Sequence, residues 1–352
     1  MFAHRIEKLQ QLLQEKNMQA LLVSRDANRF YLSGFELRDS QCNESSGCVL
    51  VPAHGAAWLL TDSRYELAAR QVWPEEQVRI YGKKRLETVA DLARKLGITE
   101  LGVEAAGLSY QDGRELGREI NLLPVTDLIE HMRLFKEDVE IAALSRACAL
   151  NHKVYELLRP LLTVGLTEKE IAWEVEKLFR ENGSGGLNFD TIVGIGPNAA
   201  LPHARPGETR LTDNCSILID MGGRFDNYCS DQTRSWWIGD RPAGFFTETL
   251  ALVQEAQSRA IAAVRPGMLA RDLYRVAHDF FVKHGVAEHF THALGHGIGL
   301  ETHEPPSLNP ACEMELRAGM MITVEPGLYY PEWGGIRWEH MILVTEDGAK
   351  VL

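Results

Sequence analysis

The sequence predicts a two-domain protein, an α/β layer domain over residues 1–130 followed by an α+β domain over residues 131–352. Three observations lead there. The 352 residues exceed the roughly 250–300 at which a single core usually stops growing. In the first third, short apolar runs alternate with amphipathic segments. Past residue 131 a long helical period takes over, and from Ile192 onward the chain turns strand-rich and Gly-rich.

The elements follow in order. Ile6, Leu9, Leu12 and Leu13 recur at helical spacing, and Ala20–Val23 reads as a buried strand. Further strands are predicted at 48–51, 57–60, 78–81 and 101–103, with helices between them at about 63–71, 85–96 and 109–119. The boundary falls within 128–136, and a long helix then runs from Glu137 to about Leu158. The next helix carries its own punctuation: Thr167 as N-cap, Glu170 as the capping-box partner three residues on, and Asn182-Gly183 as the stop. Two more helices are predicted at about 245–264 and 269–284.

Composition bounds the function. With 45% hydrophobic and 24% charged residues the chain is an ordinary soluble one. Its 49 acidic against 37 basic residues, net −12, speak against a nucleic-acid partner. No apolar stretch approaches the ~20 residues that cross a bilayer, and charge at His4, Arg5, Glu7 and Lys8 comes too early for a secretory signal. Six cysteines (Cys42, Cys48, Cys148, Cys215, Cys229, Cys312) are scattered without a C-x-x-C pair, which is cytosolic usage. A cytoplasmic protein with no membrane partner is expected.

Carboxylates carry the chemistry. The run Ser216–Asp220 is an apolar strand ending in an acid, followed by Met221-Gly222-Gly223, and the chain returns through Tyr228–Arg234. A turn centred between Phe225 and Asp226 sets Asp220 opposite Asp231, within the roughly 4.5–5.5 Å of cross-strand Cβ atoms. Thr323–Gly327 and Gly334–Glu339 repeat the arrangement; a turn near Glu332 sets Glu325 against Glu339. Carboxylates so close repel one another unless a cation lies between them or one is protonated. His296, flanked by Gly295 and Gly297, adds an imidazole that other groups can approach closely. Four oxygen donors and one nitrogen suit a dinuclear site for Mn²⁺, Co²⁺, Fe²⁺ or Zn²⁺ with the metals about 3.5–4 Å apart. Spacing alone leaves open two ordinary hairpins with acids at their strand ends. A helical zinc pair of His292 and His296 is the weaker reading, because the glycines disfavour a helix there.

Ile219-Asp220-Met221-Gly222, Ser230-Asp231-Gln232-Thr233-Arg234, Gly295-His296-Gly297-Ile298-Gly299, Thr323-Val324-Glu325-Pro326-Gly327 and Ile336-Arg337-Trp338-Glu339 occur in that order. Together they resemble the five ligand motifs of the pita-bread metallopeptidases, the family of methionine aminopeptidases, aminopeptidase P, prolidase and creatinase. The large N-terminal domain and His203 in Asn198–His203 resemble the proline-specific branch. The resemblance implies a pita-bread domain behind a creatinase-type N-terminal domain, and hydrolysis of the X-Pro bond at a peptide N-terminus, by a dipeptidase or an aminopeptidase. It implies two divalent ions, Mn²⁺ or Co²⁺ first and Zn²⁺ or Fe²⁺ next, held by Asp220, Asp231, His296, Glu325 and Glu339 and sharing an activated hydroxide. Glu325 is then also the proton acceptor, His303 faces the developing oxyanion, and His203 and His292 orient substrate and move protons. Arg337, on the same strand face as Glu339, pairs with a carboxylate of the site or binds a peptide carboxylate, with Asp231 or Glu339 as its structural ion-pair partner. A homodimer and a short proline-containing peptide substrate are further implications. Two rivals predict otherwise: a creatinase-like amidinohydrolase turns over a small guanidino compound without metal, and an inactive binding protein lacks an intact ligand set. Trp338, His340, Asn188 and Pro331-Glu332-Trp333 depart from the family pattern beside the site.

Overall fold

The structure is a computed structural model that describes residues 2–37 and 45–352. Its contacts divide the chain into two compact units, Met1–Arg133 and Leu134–Leu352.

The first unit runs α1 (Phe2–Glu15), β1 (Ala20–Val23), α2 (Asp26–Ser33), β2 (Cys48–Pro52), β3 (Trp58–Asp62), α3 (Glu66–Val72), β4 (Val78–Tyr81), α4 (Arg85–Lys95), β5 (Glu100–Glu104), α5 (Tyr110–Leu116), β6 (Asn121–Val125) and α6 (Leu128–Arg133). Six strands form one mixed sheet in the order β4-β3-β2-β1-β5-β6. β1 and β2, the centre of that sheet, are buried along their whole length, as their unbroken apolar sequence requires. On one face α4 packs Val89, Ala90 and Ala93 against Leu22, Leu50 and Leu60.

The second unit runs α7 (Asp138–Leu158), α8 (Glu168–Glu181), β7 (Ile192–Ile195), β8 (Cys215–Met221), β9 (Arg224–Phe225), β10 (Tyr228–Cys229), β11 (Gln232–Ile238), α9 (Gly244–Ala263), α10 (Ala270–Lys283), β12 (His296–Gly297), β13 (Glu304–Ser307), β14 (Met321–Val324), β15 (Gly327–Tyr330), β16 (Gly334–Arg337), β17 (His340–Val344) and β18 (Ala349–Val351). α8 starts as its sequence predicts: Thr167 and Glu170 form the capping box, and Gly183 follows the Asn182 cap at φ 93°.

Two helix-backed sheets build this unit. α7 and α8 lay Val154, Ile171, Val175 and Phe179 on the three-stranded sheet β11-β8-β7, against Val193, Ile217 and Ile219. α9 and α10 lay Val253, Ala256, Ala260, Leu273 and Phe281 on the sheet β13-β12-β14-β17-β18, against Ile322, Val324, Ile342 and Val344. Of the acids singled out in the sequence, Asp220 lies on β8 and Asp231 just before β11 of the first sheet, and Glu325 and Glu339 lie just after β14 and just before β17 of the second. Cys48, Cys148, Cys215, Cys229 and Cys312 are free thiols, and Cys42 lies outside the described residues.

Candidate active site

Asp220 sits near the end of β8 and Asp231 just ahead of β11. The strands pair with Asp220 opposite Thr233, not opposite Asp231 as the sequence suggested. The turn explains the difference. The chain reverses through Asp226 and Asn227, at φ 48° and 70°, with Phe225 paired to Tyr228. Two successive left-handed residues make the two-residue hairpin turn that matches strand twist, and Asp and Asn tolerate that conformation. Moving the turn centre by one residue moves the register by two, which keeps each side chain on its face. Asp231 is therefore a diagonal neighbour of Asp220, and the repulsion of Asp220 acts on its carboxyl.

The second pair has the register read from sequence. Val324 pairs with His340 and Gly327 with Arg337, which leaves Glu325 and Glu339 between the two ladders.

His296 opens β12. Its Nδ1 lies 3.0 Å from the Gly297 carbonyl, so that nitrogen carries the proton. Bare Nε2 then faces Asp231 Oδ2 at 3.5 Å and Glu325 Oε1 at 3.3 Å. The flanking glycines have a steric cause. A Cβ at residue 295 would lie 2.1 Å from the Thr323 carbonyl oxygen, and one at residue 297 would lie 2.0 Å from that of Pro305.

Atoms of Asp231, His296 and Glu339 lie within 4.8 Å of one another. Burial, then the charge of Asp220 and Glu325, holds the Asp231 carboxyl well above the usual carboxylate range. Burial, then Asp231 and Glu325, does the same to Glu339. Burial also raises Glu325, against the opposing pull of His296 and Arg337. Asp220 Oδ1 and Glu339 Oε1 are buried and accept no hydrogen bond. Acids that resist ionisation beside one another, with orphaned oxygens and a bare imidazole nitrogen, are a donor set that divalent cations complete.

Of the nine residues singled out, all but Glu339 line one cavity of about 870 Å³. His303 lies beside His296, with ring centroids 4.3 Å apart; burial, then His296, lowers it to about 4, so it is a neutral N–H donor near pH 7. His203 stands exposed at the rim.

The structure gives Arg337 and His292 partners that the sequence did not name. Arg337 is buried, and its acidic partners are Asp220, with Nη2 2.7 Å from Oδ2, and Glu325, with Nε 3.9 Å from Oε2, rather than Asp231 or Glu339. Its Nε and Nη1 donors go to Thr233 Oγ1, the Tyr329 hydroxyl and the Pro202 carbonyl, so most of the guanidinium is committed within the protein. The proximity of Asp220 came from the neighbouring sheet, which strand alternation on β16 does not reveal. His292 has both ring nitrogens engaged within the protein. Nδ1–H donates to the Ala293 carbonyl at 2.7 Å, and Nε2 accepts from the Tyr329 hydroxyl at 2.8 Å. Burial, then Arg337, lowers its pKa to about 4. His292 thus holds Tyr329, and through it Arg337, while its ring lines the cavity.

Several residues support the ligands, and of these the sequence placed only His340 and Asn188 beside the site. Thr233 donates to Glu339 Oε2 at 2.9 Å, and Thr323 donates to Glu325 Oε1 at 3.2 Å while accepting the His296 N–H at 3.0 Å. Each lies two residues from a candidate ligand, the signal that would have found them. Gln257 of α9 gives its amide to the carbonyls of Val324 and Trp338, at 2.8 and 2.9 Å, immediately beside Glu325 and Glu339. His340 in turn donates to Gln257 Oε1 at 3.0 Å. Asn188 ties the Ser230 carbonyl to Thr302, at 3.0 Å each.

Residues 142–346 match metallopeptidase family M24, and residues 5–135 match the creatinase/prolidase N-terminal domain. The chain belongs to the M24 metallopeptidases. An Xaa-Pro dipeptidase from Pyrococcus horikoshii is 32% identical over 351 residues, which cover 99% of this M24 chain and 96% of the relative. A solved structure of an Xaa-Pro dipeptidase from Bacillus anthracis superposes with a TM-score of 0.93 at 31% identity, covering 100% of this chain and 97% of the other. An X-Pro aminopeptidase from Thermotoga maritima follows with a TM-score of 0.87 at 30% identity, covering 98% and 97%. The fold is the one the resemblance implied, a creatinase-type N-terminal domain before a pita-bread domain. As an M24 metallopeptidase the chain is an enzyme that works with divalent metal ions. No helix among the described residues is long and apolar enough to cross a membrane.

Proposed function

We propose that this M24 enzyme hydrolyses the bond between an N-terminal residue and proline, with residues 131–352 as the catalytic domain and residues 1–130 as the N-terminal one. The observation that carries the reading is the meeting of Asp231, His296 and Glu339 within 4.8 Å, beside buried acid oxygens that lack a hydrogen-bond donor. Relatives named for X-Pro cleavage, matching over nearly the whole chain, support the substrate.

Asp220, Asp231, His296, Glu325 and Glu339 would hold two divalent cations, Mn²⁺ or Co²⁺ in preference to Zn²⁺ or Fe²⁺. Those cations would supply a Lewis acid for the scissile carbonyl and lower the pKa of a water toward neutrality. The protein does the rest. The X-Pro amide has no N–H, so binding cannot rely on that donor. His203, at the rim, orients the peptide. Neutral His303 donates to the carbonyl oxygen as negative charge grows on it. Glu325, kept basic enough by its raised pKa, accepts the proton of the attacking water and passes it to the proline nitrogen, which must be protonated to leave. Arg337 holds Asp220 in place through the 2.7 Å contact. The enzyme acts in the cytoplasm as a homodimer.

Hydrolysis of Ala-Pro and Ala-Pro-Ala tests this. Chelator should abolish turnover, and Mn²⁺ or Co²⁺ should restore it. Cleavage of Ala-Pro alone defines a dipeptidase, and release of alanine from Ala-Pro-Ala an aminopeptidase. No cleavage of either by metal-replete protein would sink the reading.

A further inference from the structure

An X-Pro dipeptide carries a carboxylate on the residue just beyond the bond to be cut. Two divalent cations would balance the four acids of the site, so the counter-charge for that group has to come from a side chain around it. Among the described residues, three cationic side chains line the cavity: Lys169, Arg205 and Arg337. Arg337 is held by Asp220, Thr233, Tyr329 and Pro202. Lys169 is paired with Glu208 at 2.7 Å. Arg205 alone of the three has neither an acidic partner nor a hydrogen bond.

The backbone that presents Arg205 is fixed. Glu168, fully buried in the first turn of α8, accepts the Ile195 N–H at 2.8 Å and the Asn198 amide at 3.0 Å on one oxygen. Its other oxygen accepts the Gly207 N–H at 2.8 Å. One carboxylate therefore ties both ends of the 196–207 loop to the helix. Within the loop Pro202 and Pro206 restrict φ, and Ala204, 4% exposed, donates its N–H to the Leu201 carbonyl at 3.0 Å. His203 and Arg205 flank that buried alanine, and both line the cavity. An imidazole and an unpaired guanidinium thus stand two residues apart on a braced loop.

We propose that Arg205 is a specificity-determining residue that binds the free C-terminal carboxylate of the substrate, and that the preferred substrate is accordingly the X-Pro dipeptide. The proposal rests on the X-Pro reading and narrows it. A guanidinium fork matches a carboxylate with two parallel hydrogen bonds, whereas the neutral amide that continues a longer peptide lacks the charge that makes such a contact strong.

The test compares Ala-Pro with Ala-Pro amide in the metal-loaded wild type, Arg205→Gln and Arg205→Lys. Wild type should favour the free acid by about tenfold in kcat/KM, the difference lying in KM, as expected for one charge-assisted contact near solvent. Arg205→Gln should bring that preference close to unity, and Arg205→Lys should restore part of it. A wild type indifferent to the free carboxylate, or an Arg205→Gln variant with the wild-type preference, overturns the proposal and leaves X-Pro hydrolysis standing. Failure of wild type to cleave Ala-Pro, its amide or Ala-Pro-Ala removes the X-Pro reading instead. Calorimetric binding of Ala-Pro to the same proteins, stripped of metal by chelator, needs no turnover. There, an Arg205→Gln affinity equal to wild type again overturns the role of Arg205, and a loss of about tenfold supports it.

Discussion

Each unit of this chain buries a cluster of acids, and the two clusters are built on opposite terms. In the first unit Glu104 and Glu130 are 6% and 8% exposed. Glu104 accepts the backbone N–H groups of Ser24 and Arg25 at 2.6 and 2.7 Å and the Asn28 amide at 2.6 Å. Glu130 accepts from Asn28 and from the Arg25 guanidinium, both at 2.7 Å. In the second unit Asp220, Asp231 and Glu339 are buried as deeply, yet Asp220 Oδ1 and Glu339 Oε1 meet no donor and the nearest charges include other acids. Burial raises the pKa of Glu104 as it raises those of Asp231 and Glu339, so a perturbed acid does not by itself mark a site. Unmet acceptor valence does. The chain's own donors satisfy the first cluster and leave acceptors of the second unmet.

That contrast can be broken in three places. The largest effect belongs to Asp231→Asn, which should lower kcat/KM by more than about 100-fold, beyond the 10–100-fold typical of residues that merely support ligands. In wild type, metal at 100 times its Kd should stabilise the fold by about 2.7 kcal/mol in urea unfolding, and the variant should lose most of that gain. Equal metal stabilisation in both proteins would erase the distinction between the clusters. Glu104→Leu comes next. It strands two backbone donors and the Asn28 amide, so unfolding should ease by about 3 kcal/mol, since each unsatisfied buried group costs about 1–3 kcal/mol. Metal stoichiometry and kcat/KM, measured well below the transition, should stay at wild-type values. The smallest effect is that of Gln257→Met, which removes the amide bridging the carbonyls beside Glu325 and Glu339. Metal affinity, read by competition with a chromophoric chelator, should fall about tenfold. An unchanged affinity would show that the strands hold these acids without help from α9.

Much of the fold was legible where a local rule fixed it. The Thr167–Glu170 capping box and the β15–β16 register followed from spacing alone. α2 was missed because Asn28, Arg29 and Ser33 are among its buried residues, which conceals the apolar stripe a helix normally declares. β6 was missed because it is an edge strand containing Pro124, and proline argues against a strand. In the site, the five candidate ligands could be named from their motifs. The contacts of Gln257, Asn188 and Tyr329 could not, because they reach backbone or side chains far away in sequence. The partner of Arg337 failed for the same reason: alternation gives the face of a residue, and only the packing of two sheets gives what lies across from it.

The turn through Asp226 and Asn227 governs how this chain can be set beside its relatives. Both residues are left-handed, so glycine or asparagine can replace either, whereas the ladder that flanks them holds both acids in place. A residue lost from the strand beside Asp231 would swing that carboxyl to the opposite side of the sheet, but one lost at the hairpin tip is absorbed by a three-residue loop. A one-residue alignment gap across that stretch therefore belongs at the tip, beside residues 226 and 227, and not next to either acid.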